Sequence, residues 1–260
     1  MNFHQCNIEL NPHHYSGVRN ARACAVIQNH QLPPNKIWQN PGVFFLVTDS
    51  LKYGVVERER LLHDLQNWSY LYIAGRLHKP TVTVLTDDNI LHAHENRNLP
   101  GALAAGLLLL ERETFPADLL FHTIASLSYQ GDPRMSVGAE DPEKIVKLVQ
   151  GSTAAHLDRW HRLYGPAVGR LEENGILTRA TDGHWAWDAR SPSARQFLWH
   201  QLPFHTTATT MTTPLATHLS RTVAPPARYQ ALKGVVTAGP SRSLAYAYRK
   251  LTKGVLRRWK

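Results

Sequence analysis

The chain has 260 residues, 43% of them hydrophobic, and only two cysteines. This is enough apolar material for a folded core, and too few cysteines for a disulfide framework or a structural zinc site built on cysteine alone. The net charge of +9 comes from the last part of the chain, because residues 189–260 contain 12 Lys and Arg and no carboxylate side chain. A basic segment of this kind predicts contact with an anionic surface, either nucleic acid or a membrane.

The sequence does not predict a membrane span. Its best apolar run, Leu99–Leu110, is 12 residues long, which suits a buried helix rather than a helix that crosses a bilayer. The first residues have neither the basic and apolar regions of a signal peptide nor the Arg/Ser-rich pattern of a transit peptide. We therefore expect at most a peripheral association with membranes.

The first predicted elements are a helix around Ala21–Asn29 and a β-hairpin. Two apolar, β-rich runs, Val43–Thr48 and Leu51–Val56, flank Asp49-Ser50 at the spacing of a two-residue turn. The pattern then becomes helical after Glu57 and predicts a helix with Gly75 as its C-terminal glycine. Its apolar stripe consists of Leu61, Leu65, Trp68 and Tyr72. Pro80 begins an alternating Thr/Val strand to Leu85.

Two charged features in this region exceed what packing requires. Asp64 borders the apolar stripe, where a carboxylate is unfavourable unless it is paired or coordinates a metal. Arg76 and Lys79 follow the predicted helix closely, where their charges could converge on a phosphate. The structural alternatives are an Asp64 salt bridge and basic residues that complete a helix C-terminus.

The middle of the chain predicts a second, mainly helical unit. Asp87 and Asp88 are adjacent, a pattern that favours a turn or helix cap over a metal site. His92 and His94 lack a third ligand at a suitable spacing, so they are only a weak indication of a metal site. After the helix Leu99–Leu110 we expect a helix from Pro116 to about Ser128 and a longer helical region over 142–164, which Gly151 could divide. A predicted hairpin into residues 184–187 would form the wing of a winged-helix-like unit.

The last segments predict a linker and a basic helix. A Thr-rich linker is expected over residues 203–227, and a single apolar stripe in 241–260 predicts an amphipathic helix suited to an anionic membrane surface. Docking on the protein and nucleic-acid binding are the alternatives. The membrane-facing residues would be Arg249, Lys250, Lys253, Arg257, Arg258 and Trp259. The predicted boundaries are 1–115, 116–202, 203–227 and 228–260.

Four blocks in order along the chain carry a family resemblance. They are NPHHYS at Asn11–Ser16, KYGVV followed by DLQNWSYLYIAGRLHKP, LSYQGDPRM at Leu127–Met135, and LKGVVTAGP at Leu232–Pro240. In these blocks the chain resembles the mitochondrial-type, soluble CDP-diacylglycerol synthases of the translocator assembly and maintenance family. The resemblance implies a nucleotidyltransferase that joins CTP to phosphatidic acid, releasing pyrophosphate and forming CDP-diacylglycerol for cardiolipin and phosphatidylglycerol synthesis.

The resemblance also implies a fold. The fold expected is α/β (α+β), a truncated nucleotidyltransferase-like mixed sheet with helices, followed by the winged-helix-like unit and the basic helix.

A magnesium cofactor is the next implication of the resemblance. The family resembles polymerase-β-like nucleotidyltransferases, in which two strand carboxylates bind Mg²⁺. Those carboxylates precede the NPHHYS-like block in the family, and here Met1 stands only ten residues before Asn11. We therefore expect a form in which the metal-binding first strands and their carboxylates are absent upstream of Met1, and the metal ligands are unknown.

The resemblance assigns site residues by position. Lys52 and Asp64 are the expected catalytic residues, with Asp64 either a later carboxylate or an orienting partner. The expected substrate- and phosphate-binding residues are His14, Tyr15, Ser16, Tyr53, Arg76, Lys79, Asp132 and Arg134.

Partners and location follow from the same resemblance. We expect an anionic membrane surface as partner, no nucleic acid, and a peripheral site on the matrix side of the mitochondrial inner membrane or the cytoplasmic face of a bacterial one. The competing interpretation is a non-catalytic membrane-surface or nucleic-acid-binding protein on the same fold.

Overall fold

A computed structural model describes most of the chain. The described residues are 3–10, 12, 15–29, 39–47, 52–84, 87–136, 143–151, 154–180, 183–204, 213–239, 241, 243 and 245. They form two compact units that are interleaved along the sequence. Unit 1 contains residues 1–60, 131–141 and 223–260, and unit 2 contains residues 61–130 and 142–222. The fold is mixed α/β, as expected, with more helix than strand.

Unit 1 is built on one β-hairpin and the helices around it. Strands β1 (Val43–Val47) and β2 (Lys52–Val56) pair antiparallel, which confirms the predicted hairpin. The turn residues Asp49 and Ser50 lie outside the described residues. The helices of this unit are α1 (Phe3–Leu10), α2 (Ala21–Asn29), the first residues of α3 (Arg58–Asn67), α8 (Pro133–Ser136) and the end of α12 (Leu215–Ala238).

The core of unit 1 is small and aromatic. Tyr15, Cys24 and Phe44 are buried together, and Tyr53 packs against them. The rings of Tyr15 and Phe44 are stacked with centroids 5.7 Å apart. The helix α12 is fixed to β1 because the side chains of both Gln230 and Lys233 donate to the Val43 carbonyl.

Unit 2 is organised around one fully apolar helix. Helix α6 (Leu99–Leu110) has the bounds that the sequence predicts, and its residues 99–108 are buried. It continues α5 (Asp88–Ala93) through a π-helical turn, His94–Asn98. The Asp87 carboxylate caps α5 by accepting from the Ile90 amide, which confirms the predicted turn and cap.

A strand, four α-helices, a 3₁₀ turn and a hairpin also belong to unit 2. The elements are β3 (Thr114–Phe115), α7 (Ala117–Ser126), a 3₁₀ turn (Leu127–Tyr129), α9 (Lys144–Gln150), α10 (Ala154–Glu173), β4 (Thr178–Arg179), β5 (Trp185–Ala186) and α11 (Pro192–Gln201). The sheet order is β3-β5-β4, all antiparallel. The β4–β5 hairpin lies where the sequence predicts the wing, and α9 and α10 are divided at Gly151 as expected.

Two predicted elements are wrong in this region. The helix expected to reach Gly75 ends at Asn67, and the chain turns before α4 (Ala74–Leu77) begins. Trp68 and Leu71 adopt left-handed backbone conformations within that turn. The expected strand over 80–85 is not formed at residues 81–84, where the Val82 and Val84 side chains are 88% and 92% exposed. A β-prone segment forms a strand only when another strand pairs with it, and the described part of the chain supplies none here.

The segment expected as a linker is partly helical. Helix α12 begins at Leu215 and runs through Pro225 and Pro226. Leu215, Leu219 and Val223 are buried along one face, and this burial stabilises a helix that the Thr-rich composition does not indicate. The two units are interleaved along the sequence, whereas the predicted segments are consecutive. The predicted boundaries stay a prediction.

Candidate functional site

The carboxylate of Asp64 shapes the loop that follows α3. It is 3% exposed and accepts five backbone hydrogen bonds of 2.8 to 3.1 Å. Oδ1 accepts from the amides of residues 70 and 71, and Oδ2 accepts from those of residues 72–74. A carboxylate that accepts this many hydrogen bonds holds the backbone around it. The geometry favours the orienting role for Asp64 over that of a reacting carboxylate.

The side-chain amide of Asn98 holds the other side of the same loop. Its Oδ1 accepts from Trp68 Nε1 at 2.8 Å and from His78 Nε2 at 3.0 Å, and its Nδ2 donates to the Ala74 carbonyl at 3.2 Å. Nδ2 also lies 3.2 Å from His94 Nδ1. All four hydrogen-bonding positions of the amide are used, which fixes its orientation and requires His78 to be protonated at Nε2.

Burial keeps the two histidines of this network neutral. His78 is fully buried, and desolvation lowers its pKa to about 3, against a smaller opposing effect of the Asn98 hydrogen bond. Desolvation also lowers the pKa of His94. The network therefore serves as a rigid, uncharged support for α4, and neither imidazole is placed to act as a cation at neutral pH.

Basic side chains lie around α4. The Arg76 guanidinium is 4.0 Å from the centroid of the Tyr72 ring and donates to the Tyr72 carbonyl. Lys79 Nζ donates to the Gly75 carbonyl at 3.2 Å. Burial, then Arg76 and Lys144, lower the pKa of Lys79 to about 8. We define Arg76, Lys79 and Lys144 as the cation cluster. The charge of such a group of cations is complementary to that of a phosphate group.

The predicted residues of unit 1 have a different setting. Tyr15 is fully buried, and burial raises its pKa. Ser16 Oγ donates to the Ala238 carbonyl, which fixes the end of α12 to the first block. Tyr53 packs on the core, and Asp132 is 3% exposed just before α8. The structure thus joins the first block, the hairpin and the last block within unit 1, whereas Asp64, Arg76 and Lys79 lie together in unit 2.

Several predicted side chains fall outside the description. His14 and the membrane-facing set are among them, the latter being Arg249, Lys250, Lys253, Arg257, Arg258 and Trp259. Only the backbone is described for Lys52, the first residue of β2, and for Arg134 in α8. Their proposed roles stay predictions.

Clusters of potential metal ligands are absent from the described residues. Within the ranges given above, no three His, Cys, Asp or Glu side chains come together as a metal site would require. The ligands of the expected Mg²⁺ stay unassigned. Within the same ranges, no helix is both long and apolar enough to cross a membrane.

The start of the chain, upstream of which the metal-binding carboxylates are expected in the family, is not described either. Met1 lies outside the described residues, which begin at Phe3 in α1. No ligand of Mg²⁺ is assigned at Met1 or beside it, and the expectation that the carboxylates are absent upstream of Met1 stays a prediction.

Three residues of this region are missed by the sequence analysis. Asn98 is the last of five polar residues before the apolar run Leu99–Leu110, and its role depends on contacts with Trp68 and His78 that are distant in sequence. Lys144 of the cation cluster and the Tyr129 ring beside it come together only through the packing of separate elements. Tyr129 does lie within the LSYQGDPRM block, which is the one signal that could have indicated it.

Known proteins match nearly the whole chain. The Tam41/Mmp37 family model, described as phosphatidate cytidylyltransferase, mitochondrial, matches residues 1–214 and 205–253. The chain belongs to this family. The match includes both units and every block on which the resemblance rests.

Individual members of the phosphatidate cytidylyltransferase family are also similar to this chain in sequence. The mitochondrial phosphatidate cytidylyltransferase of Drosophila melanogaster is 34% identical over 284 residues, covering 96% of this chain and 81% of that protein. The Schizosaccharomyces pombe protein of the same name is 30% identical over 299 residues, covering 99% of this chain and 72% of its own. The Bos taurus protein is 31% identical over 281 residues, covering 96% and 80%.

Proposed function

We propose that the chain is a CTP:phosphatidate cytidylyltransferase that forms CDP-diacylglycerol and pyrophosphate for cardiolipin and phosphatidylglycerol synthesis. A phosphate oxygen of phosphatidate attacks the α-phosphorus of CTP. A new P–O–P bond forms, the bond from the α-phosphorus to the β-phosphate breaks, and pyrophosphate leaves. The observation that carries the proposal is membership of the family over residues 1–253, whose relatives bear this name.

The cation cluster supplies the electrostatics that this reaction needs. Both substrates are anions and repel each other, so cations placed beforehand around the phosphates lower the energy of bringing them together. Arg76 and Lys79 are proposed as phosphate contacts, and Lys52 as a catalytic residue. His14, Tyr15, Ser16, Tyr53, Asp132 and Arg134 remain proposed substrate contacts.

Asp64 has an indirect part in this proposal. Its five amide bonds hold the loop from residue 70 to 74. This loop leads directly into α4, on which Arg76 lies. Asp64 is therefore proposed as a positioning residue.

Mg²⁺ and the membrane belong to the proposal through the family resemblance and the basic C-terminal sequence. Mg²⁺ would neutralise the triphosphate, and no step above is assigned to it. A peripheral position is proposed, on the matrix side of a mitochondrial inner membrane or the cytoplasmic face of a bacterial one. The basic residues of 241–260 would be attracted to anionic lipid by about 1 kcal/mol each.

The test is direct formation of the lipid product. Radiolabelled CTP is incubated with phosphatidate vesicles, with Mg²⁺ or with a chelator, and label in the organic phase is measured alongside pyrophosphate release. The Drosophila relative is the positive control, and diacylglycerol or ATP replaces one substrate at a time. Label in lipid that requires both CTP and phosphatidate supports the proposal. No labelled lipid from a folded chain, while the Drosophila protein is active, would refute it.

A further inference from the structure

Two lysines from separate elements lie near one aromatic ring in unit 2. Lys79 follows α4, Lys144 begins α9, and their Nζ atoms are 5.3 and 5.2 Å from the centroid of the Tyr129 ring. Each distance is within the range at which a cation is attracted to a ring. Both ammonium groups therefore lie near the same ring.

A bound anion would stabilise this gathering of cations. Burial and the positive charges of Arg76 and Lys144 all lower the pKa of Lys79. A phosphate attracts an ammonium group more strongly than an aromatic ring does. An anion that contacts both lysines would therefore offset the repulsion that Lys144 exerts on Lys79.

Close packing beneath α4 brings the cluster together. Gly75 faces Ser128, and a Cβ on Gly75 would lie 2.3 Å from Ser128 Cβ. Non-bonded carbon atoms do not approach this closely, so a side chain at residue 75 would push the Leu127–Tyr129 turn away from α4. The absence of a side chain at Gly75 lets the turn that carries Tyr129 pack against α4.

We propose that Lys144 and Tyr129 complete a phosphate-dianion site with Lys79 and Arg76, in which the two lysines bind the phosphate oxygens and the Tyr129 ring sets the position of their ammonium groups. This inference rests on the proposed function and adds to it two residues that the sequence analysis does not assign to the site. The phosphate belongs either to the nucleotide or to the lipid, since terminal phosphates of both are dianions.

The chain offers a matched control for Lys144. Lys147 lies on the same helix α9, is largely exposed, and pairs with Glu143 at 2.8 Å. Lys144→Gln and Lys147→Gln remove the same charge from the same element. They differ in that only Lys144 approaches Tyr129 among the contacts described.

The experiment measures binding by calorimetry with defined probes. Inorganic phosphate, CTP and short-chain phosphatidate below its micelle concentration are titrated into the full chain, with cytidine and short-chain phosphatidylcholine as uncharged or shielded controls. We expect Lys144→Gln to weaken binding of the anion about ten-fold, the loss of one charge-assisted contact, and Lys147→Gln to change it less than two-fold. Lys144→Arg should restore most of the affinity, and Tyr129→Leu should weaken binding without a change of charge.

The pattern across probes identifies the source of the phosphate. A loss for CTP alone assigns the site to the nucleotide, and a loss for phosphatidate alone assigns it to the lipid. Equal affinities of Lys144→Gln and Lys147→Gln for all three probes would overturn the inference. Formation of CDP-diacylglycerol is assayed separately. If Lys144→Gln changes neither turnover nor binding, this site is refuted and the proposed function still stands. If Lys144→Gln loses phosphate binding but the parent chain makes no lipid product, the proposed function is refuted and the site still stands.

Discussion

The indole of Trp68 and the imidazole of His78 donate to the same oxygen, Oδ1 of Asn98, at 2.8 and 3.0 Å. The centroids of their rings are 5.3 Å apart, and the amide nitrogen of Asn98 donates to the Ala74 carbonyl on α4. One side chain therefore ties three points of the segment that leads to the cation cluster. Loss of any of the three would leave a buried polar group without its partner.

The first prediction concerns acid stability through His78. Its pKa is lowered from 6.5 in the unfolded chain to about 3 in the folded one. The unfolded state therefore binds the additional proton first, and stability is lost as the pH falls from about 6.5 towards 3, by at most about 1.4 kcal/mol per unit. His78→Gln, which keeps a donor for Asn98 but cannot titrate, should lose less stability between pH 7.5 and 5.

Urea unfolding at the two pH values measures this difference. His92→Gln, a change at an exposed histidine on α5, is the control and should keep the pH dependence of the parent chain. A His78→Gln profile parallel to that of the parent would contradict the prediction.

The second prediction separates two roles of Asp64. In Asp64→Asn an amide NH₂ would face the backbone donors that now point at Oδ1 or at Oδ2. At least two donors would lose their acceptor, lowering the free energy of unfolding by about 3 kcal/mol or more. Binding of phosphate should weaken with it, because α4 is no longer held. A stable variant with lost turnover and intact binding would instead show a reacting carboxylate. Asp88→Asn, at an exposed helix start, should cost under about 0.5 kcal/mol.

The limits of sequence reasoning are visible at α3. Leu65, Trp68 and Tyr72 are all buried as the apolar stripe predicts. Burial alone cannot distinguish a continuing helix from a turn, and the turn is set by a carboxylate that binds backbone amides. Helix Leu99–Leu110 is predicted to its ends because its burial is continuous. The family blocks indicate Arg76 and Lys79, whereas Lys144 reaches Tyr129 only through tertiary packing.

The third prediction is a trade between stability and binding at Lys79. Its pKa is lowered from 10.5 to about 8, so holding the charged form in the fold is unfavourable below pH 8, and this penalty disappears as the pH rises from 8 to 10.5. Lys79→Met should therefore raise the free energy of unfolding at pH 7 by the order of 1 kcal/mol, after allowance for partial exposure. The same variant should bind phosphate more weakly. Phosphate binding by the parent chain should also weaken above pH 8, as Lys79 loses its proton. A less stable Lys79→Met variant at pH 7 would contradict this account.

The fourth prediction concerns Lys233 in unit 1. This lysine is 6% exposed, and burial followed by the charge of Arg60 lowers its pKa to about 7. Because Gln230 also donates to the Val43 carbonyl, Lys233→Met leaves that oxygen with a partner. We expect a free energy of unfolding at pH 7 within about 1 kcal/mol of the parent. Adding Gln230→Leu removes both donors and should cost about 1 to 3 kcal/mol more. Thermal unfolding of both variants measures this, and a strongly destabilised single variant would show a further role for the ammonium group.

The fifth prediction tests the close contact between α4 and the 3₁₀ turn. Gly75→Ala places a methyl group 2.3 Å from Ser128 Cβ and should lower the free energy of unfolding by about 1 to 3 kcal/mol. Replacing Ser128 by glycine makes room on the other side. The double variant Gly75→Ala with Ser128→Gly should therefore recover stability relative to Gly75→Ala, although Ser128→Gly alone is destabilising or neutral. A double-mutant cycle from urea unfolding gives the coupling energy. The phosphate affinity of the double variant should recover with its stability, because Tyr129 can again approach Lys79. Additive losses in the cycle would mean that the two residues are not in contact in solution.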